Sequence, residues 1–295
     1  MISIGTGLDM ICRLGLAKVP LCLLIGCSTV FGYILADPVV GGCTFFLGGG
    51  IFVIATGAAT LNSLQEHRLD RQLERTKNRP LPKGLLTPAQ AWRQALVLLF
   101  IGFIILIAAS ETFLPVLIAL FSFFLYNAVY TPLKKKTILA IVPGAICGAL
   151  PPYIGWIGGG GEAAGYTGTL LIVLFVLWQV PHYWLVLLTF KEDYEKSDIP
   201  NFLKQYREES LKRFFVSWIG ALASVMLMFL ILPFHIWPLS RVLILLNIGL
   251  LLSVFFYSLI IQKTCNYRIL FIFLNLALLF HMVVLSISRV ILQNN

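Results

Sequence analysis

The sequence predicts an all-α integral membrane protein, with nine transmembrane helices bundled around a central cavity. Three observations predict it. Hydrophobic residues make up 59% of the 295 and charged ones only 12%, about half the roughly 25% with which a soluble domain covers its surface. Nine mostly apolar windows approach or exceed the roughly 20 residues that cross a bilayer as a helix. When these windows are threaded alternately, 20 of the 22 Lys and Arg fall on one side, as the bias of basic residues toward the cytoplasm requires. The net charge of +9 is therefore a topology signal, and no nucleic-acid partner is expected. Helices are forced because hydrocarbon offers no partner to an open backbone group. A closed barrel is excluded because the runs are too long and lack the two-residue alternation of barrel strands.

The windows follow one another as a single polytopic domain over residues 1–295. The first span, about 19–36, begins after Lys18 and matches the later eight too well to be a cleaved leader. The second, about 40–62, is rich in glycine and ends on Asn62. Spans at about 94–110 and 112–131 follow, the latter closed by Lys134, Lys135 and Lys136. The fifth, about 137–157, carries Pro143, Pro151 and Pro152, and the sixth, about 166–189, carries Pro181. Such breaks are tolerated where neighbouring helices or a cavity satisfy the freed backbone groups. A Gly158–Gly161 run connects them. The last three spans are about 214–236, 242–262 and 269–289. Nine crossings put the N-terminus in the cytoplasm and the C-terminus on the outer side, in the cell (inner) membrane. The six cysteines lie mostly in apolar runs without metal-ligand spacing, and are expected to be unpaired buried thiols.

Nine of the thirteen acidic residues crowd into two inner segments, after spans two and six. In the first, Asn62, Glu66, Asp70 and Glu74 are each four apart. On a helix each such step turns about 40° beyond a full turn, so these side chains form one slowly drifting stripe. Carboxylates at the mouth of a membrane helix are costly unless a cation neutralises them. Hard divalent cations take oxygen ligands, and Mg²⁺ typically binds one or two carboxylates, waters and substrate phosphates. Arg75, Lys77 and Arg79 follow, suited to phosphate oxygens. A solvated amphipathic helix end with paired charges is the competing reading.

The second segment repeats the theme: Trp178-Gln-Val-Pro-His182 lies in the apolar helix, and Lys191-Glu-Asp193-Tyr194 and Asp198 follow it. Two acidic helix ends from separate spans can clamp one diphosphate through bridging Mg²⁺, offsetting the charge that builds as it departs. A third piece, Tyr130-Thr-Pro-Leu-Lys134, offers a phenol and an ammonium one helical step apart. An active site at the cytoplasmic face is the expectation.

These segments resemble the UbiA-type intramembrane prenyltransferase superfamily, and within it the haem-farnesylating branch. The matching pieces are Asp70-Arg-Gln-Leu-Glu-Arg-Thr-Lys-Asn-Arg-Pro-Leu81, Tyr130-Thr-Pro-Leu-Lys134 with Thr137, Gly144-Ala-Ile-Cys-Gly-Ala-Leu-Pro-Pro-Tyr-Ile-Gly-Trp156, and Trp178-Gln-Val-Pro-His182 with Asp193-Tyr194. The third and fourth favour the haem branch; Arg-Thr-Lys-Asn-Arg-Pro is shared with quinone-pathway relatives. The resemblance implies Mg²⁺-dependent transfer of farnesyl from farnesyl diphosphate to a vinyl group of haem b (protoheme IX), giving haem O within the lipid bilayer. It implies metal ligation by Asn62, Glu66, Asp70, Asp193 and Asp198. Glu66 stands where the family usually has Asp. Asp70, Asp193, Lys134 and Tyr130 become the expected catalytic residues, and Asn62, Arg75, Lys77, Arg79, His182 and Tyr194 the expected substrate contacts. A downstream haem-modifying or oxidase-assembly protein is a further candidate partner. Prenylation of an aromatic acid or naphthoate in quinone synthesis is the nearest alternative. A transporter, which would pair charges at mid-membrane, is a distant one.

Overall fold

Backbone groups in so apolar a chain are satisfied within helices, and no strand forms among the described residues. A computed structural model of the protein describes residues 6–197, 199–206, 208–262 and 265–293; the candidate ligand Asp198 lies outside them. Nine helices among these residues are long and apolar enough to span a bilayer: Val19–Ala36, Gly42–Asp70, Pro88–Ala109, Leu114–Leu133, Ile138–Gly158, Tyr166–Thr189, Glu209–Ile231, Pro238–Ile261 and Tyr267–Gln293. They are called the first to ninth spans. The chain is a multi-pass membrane protein.

Several helices run past the windows that hydropathy marks. The second continues for two further turns to Asp70, and the third starts at Pro88. Thr87 caps that start: the Gln90 amide donates to its Oγ1 (3.3 Å), and Gln90 Oε1 accepts from the Thr87 amide (2.8 Å), a reciprocal capping box. Hydropathy registers only the lipid-crossing part of a helix, whereas intrahelical hydrogen bonds carry it on into the polar layer. Three shorter helices, Thr6–Leu16, Lys191–Lys196 and Phe202–Gln205, add to the expected set. The first of these buries Cys12 and Leu16 against Leu81, Leu86 and Ala91 and leaves Met10, Ile11 and Leu14 exposed.

The first span sits centrally, packed against the second, fifth and ninth. The third lies along the second, and the fourth against the fifth. The sixth joins the fifth to the seventh and ninth. Close approach of the first and fifth spans depends on glycine. A Cβ on Gly32 would collide with the Pro152 carbonyl oxygen, and one on Gly155 with that of Thr29. Small residues at such crossings let membrane helices gain van der Waals contact where no hydrophobic drive separates protein from lipid.

Two apolar clusters fill the interior. The larger joins Phe31 and Leu35 to the fifth to ninth spans, with Phe215, Phe229 and Phe255 at its centre. The smaller, among the second to fifth spans, contains Leu47, Ile51, Leu106, Val116 and Ile154. Phe45, Phe46, Phe100, Phe121 and Leu246 are exposed, as expected of side chains facing acyl chains. No disulfide forms among the described residues; Cys12 and Cys22 are buried as expected, but Cys27 and Cys43 are exposed.

Pro181 has no amide to offer the Leu177 carbonyl one turn earlier; the Trp218 indole of the seventh span donates to it instead (2.7 Å). At the end of the bundle away from the charged loops, Arg289 donates to the terminal carbonyls of the first span, Leu35 (3.2 Å) and Ala36 (3.4 Å). A cation over the last turn of a helix also complements its dipole.

Candidate active site at the charged end of the bundle

Because the second span continues as a helix to Asp70, Asn62, Glu66 and Asp70 share one buried face. Each meets a cation delivered by a different part of the chain. Lys18 donates to Asn62 Oδ1 (2.8 Å), and the Asn62 amide nitrogen donates to Thr131 Oγ1 (3.0 Å). One turn on, Glu66 is ion-paired with Lys134 at the end of the fourth span. One turn further, Nη1 of Arg79 donates to both Asp70 oxygens (3.1 and 2.9 Å). Three cations against two carboxylates leave this ladder net positive, a ready seat for a polyanion.

Local backbone irregularities bring the cations in. Lys18 has φ 51 and ψ 44, a left-handed conformation costing a non-glycine residue roughly 1–2 kcal/mol; it turns the chain from the Thr6–Leu16 helix into the first span. In the fourth span, Leu125–Tyr130 is a π-helical turn, a feature frequent at functional sites. The Thr131 hydroxyl donates to the Tyr126 carbonyl (2.8 Å). The same turn sends Asn127 to the second span, where its amide donates to the Ala58 carbonyl (3.1 Å) and Gln65 Oε1 (3.3 Å). Tyr126 and Tyr130 stack 5.6 Å apart, and the Lys134 ammonium lies 5.3 Å from the Tyr130 ring centre.

The segment after Asp70 folds back rather than continuing the helix. Thr76 Oγ1 donates to the Asp70 carbonyl (2.9 Å), and Leu73 packs with Leu187, Tyr194 and Ile199. That apolar contact joins the two acidic segments. The Arg75 amide donates to Asp193 Oδ2 (3.1 Å), its guanidinium to the Tyr194 hydroxyl (3.4 Å), and it lies over the Phe190 ring at 5.2 Å. A recess of 510 Å³ opens there between Glu74, Arg75 and residues 188–193. Asp70 and Asp193 thus lie at the same end of the bundle, linked through Arg75. Glu74 leaves the stripe: the helix has ended at Asp70, and Glu74 pairs with Lys77 (2.5 Å) on an exposed turn. Lys77 therefore sits outside the buried ladder.

Electrostatics differ along the ladder. Burial, reinforced by the neighbouring Arg79, pulls the Lys18 ammonium down to about 8. At Lys134 burial works in the same direction, but Tyr130 and Glu66 outweigh it and hold the ammonium above its usual value. The Glu66–Lys134 pair is hence a buried ion pair whose halves depend on each other. Removing one partner of such a pair costs roughly 3–5 kcal/mol, whereas apolar replacement of both is often neutral. Lys134→Met should thus lower thermal stability in detergent well beyond Glu66→Gln/Lys134→Met. Equal losses in the two variants would show that the pair carries no coupling.

The donor chemistry suits a hard divalent cation, being entirely oxygen, but no group of three or more His, Cys, Asp or Glu converges as a metal cage among the described residues. Asn62, Glu66 and Asp70 each face a protein cation, and Asp193 faces an amide. This arrangement fits a metal held by one or two carboxylates together with substrate oxygens, the habit of Mg²⁺, and not a preformed all-protein site.

Deeper in the sixth span, His182 lies between Trp178 (ring centres 4.5 Å apart) and Phe271 (4.8 Å). Its Nδ1 is 3.1 Å from Asn275 Oδ1 on the ninth span. Sequence reading missed Lys18, Thr131 and Asn275. Lys18 reads as an ordinary topology charge, and a lone Asn in an apolar helix gives no pattern.

The UbiA prenyltransferase family model matches residues 25–282. The protoheme IX farnesyltransferase of Geobacter sulfurreducens is 39% identical over 208 residues, 70% of this chain and 76% of that protein. That of Nitratidesulfovibrio vulgaris (strain Hildenborough) is 33% identical over 223 residues, 75% of this chain and 77% of that protein. Among solved structures, a digeranylgeranylglyceryl phosphate synthase in membranes aligns with TM-score 0.73 at 14% identity, over 95% of this chain and 98% of that one. A UbiA homolog from Archaeoglobus fulgidus bound to GPP and Mg²⁺ aligns with TM-score 0.61 at 17% identity, over 93% of this chain and 99% of that one.

Proposed function

Because the chain belongs to the UbiA prenyltransferase family, we propose that the charged end of its bundle is a prenyl diphosphate site and that the protein farnesylates haem b to make haem O. The observation that carries the site is the ladder itself: buried Asn62, Glu66 and Asp70, each facing a cation, joined through Arg75 to Asp193. The acceptor rests on the curated relatives, which are named protoheme IX farnesyltransferases.

Arg79, Lys134 and Lys18 are the groups that meet diphosphate oxygens, with Arg75 and Tyr194 closing the site from the second acidic segment. Arginine suits this because its planar fork matches phosphate geometry. Mg²⁺, held by Asp70, Glu66, Asn62 and Asp193 together with those oxygens, would offset charge on the leaving group. As the farnesyl C1–O bond breaks, its electron pair leaves with the diphosphate, and a vinyl carbon of haem b forms the new C–C bond. Water then adds to the adjacent carbon and gives up a proton, leaving a hydroxyethylfarnesyl group. The bundle's part is to keep bulk water from the allylic cation until the vinyl group attacks, with the Tyr126–Tyr130 pair at the mouth. The same reading puts this end in the cytoplasm, since threading the nine spans alternately assigns 20 of the 22 basic residues to one side, and the protein in the inner membrane of the cell.

The test is an assay of detergent-purified protein with haem b and farnesyl diphosphate, read by mass spectrometry of extracted haem. Haem O is expected, and chelation of divalent cations with EDTA should abolish it until Mg²⁺ is restored. Prenylation of an added 4-hydroxybenzoate or dihydroxynaphthoate, with haem b untouched, would overturn the acceptor and leave the site reading standing.

A further inference from the structure

We propose that Asn275 fixes the tautomer of His182, so that the imidazole presents a bare Nε2 lone pair as an axial ligand for the iron of the porphyrin substrate. The inference rests on the haem reading of the acceptor and assigns a role to a residue of the ninth span that the diphosphate chemistry does not use.

The Asn275 amide nitrogen donates to the Phe271 carbonyl one turn earlier in its own helix. A carbonyl can only accept, so this bond orients the amide and turns Oδ1 toward His182. Asn275 Oδ1, at 3.1 Å from His182 Nδ1, is likewise only an acceptor. The proton of a neutral imidazole must therefore sit on Nδ1, which makes Nε2 the acceptor. Among the described residues the one hydrogen bond of the ring is that of Nδ1, so Nε2 has no partner there. This is the way ligating histidines are usually held: the far ring nitrogen donates to a fixed oxygen, which sets the tautomer and the ring orientation.

The surroundings fit a flat apolar ligand. His182 lies between Trp178 and Phe271, on a helix whose adjacent face carries Gln179 against Gly148 of the fifth span. The Trp178 indole N–H is buried with no acceptor among the described residues, an unused donor beside the imidazole. His281 of the same span as Asn275, buried against Phe229 with neither ring nitrogen paired among the described residues, has no such oriented acceptor, and that is what sets His182 apart.

The test is spectroscopic titration of purified protein with ferric haem b in detergent, without prenyl diphosphate. Wild type should give the Soret band and low-field spin signature of histidine ligation, and His182→Ala should lose it. Asn275→Leu should weaken binding about 10–100-fold, the usual effect of removing the partner of a ligating histidine. Asn275→Asp, which keeps the acceptor, should retain it. Binding of farnesyl diphosphate with Mg²⁺, measured in parallel, reports that each variant is folded. If Asn275→Leu binds haem as wild type does while His182→Ala does not, the positioning role is wrong and the haem reading survives. If wild type shows no histidine-ligated haem but binds haem otherwise, the axial role fails alone; if it binds no haem, the acceptor reading fails with it.

Discussion

Asp70→Asn is expected to lower prenyl transfer about 10²–10³-fold, the range seen when a single group stabilising transition-state charge is removed, with the bundle still assembled. Asparagine keeps the shape of the side chain and one oxygen to accept from Arg79, so the turn closed by Thr76 on the Asp70 carbonyl should persist. What disappears is the negative charge that a metal requires and that holds Arg79 in check. Freed of its carboxylate, Arg79 can bind diphosphate at least as well as before. The loss should therefore fall on kcat, with KM for farnesyl diphosphate unchanged or lower, the pattern of an interaction made in the transition state. Steady-state kinetics with haem b in excess, beside thermal unfolding in detergent, separates this from damage to the fold. Activity within a few-fold of wild type would make Asp70 a structural counter-charge. In the proposed site Asp193 faces the same diphosphate, so the Asp70→Asn/Asp193→Asn double variant should fall little below the worse single one, as groups acting as a unit do.

The largest stability effect is expected at the crossing of the first and fifth spans. Gly32 faces the Pro152 carbonyl and Gly155 that of Thr29, backbone against backbone, so no rotamer change can make room for a side chain. Gly155→Leu should cost roughly 3 kcal/mol or more, the upper range for overpacking, and should appear as loss of monodisperse protein after detergent extraction. Gly32→Leu should behave alike. Gly220→Ala on the seventh span, where a Cβ would meet nothing within 4 Å, is the matched control and should extract as wild type does. Normal yield of Gly155→Leu would mean that the two spans can move apart without loss.

How much of this was legible in the sequence follows from which forces leave a periodic mark. Transfer to lipid acts on every residue of a span, so the nine helices are plain from hydropathy, and the alternation of basic residues orders their ends. The stripe of Asn62, Glu66 and Asp70 was legible because a helix imposes its period on whatever it carries. Glu74 broke the pattern because the helix ends at Asp70, held by the Thr76 hydroxyl and by Leu73 packing on Tyr194. The first reaches back only six residues but reads in the sequence as an ordinary Thr, and the second joins residues more than a hundred apart, so neither has a local signature. Lys18 was hidden for another reason: a charge just before an apolar run looks the same whether it points to water or inward to Asn62. Cooperation between Arg75 and Asp193 likewise depends on a meeting of loops that only the packed structure displays.

The π-helical turn at Leu125–Tyr130 sets a limit on how this protein can vary. Such a turn carries one residue more than the α-helix around it needs. Deleting a single residue there, Ala128 for instance, would restore a regular helix at no loss of hydrophobic length, a change that lipid alone would tolerate. Because the wider turn absorbs its extra residue locally, the helix on either side would keep its facing; what would go is the turn's own set of contacts, the Thr131 hydroxyl on the Tyr126 carbonyl and Asn127 on the second span. The length of this helix is thus held to the residue by one amide and one hydroxyl, while the exposed flanks of the same span are free to drift.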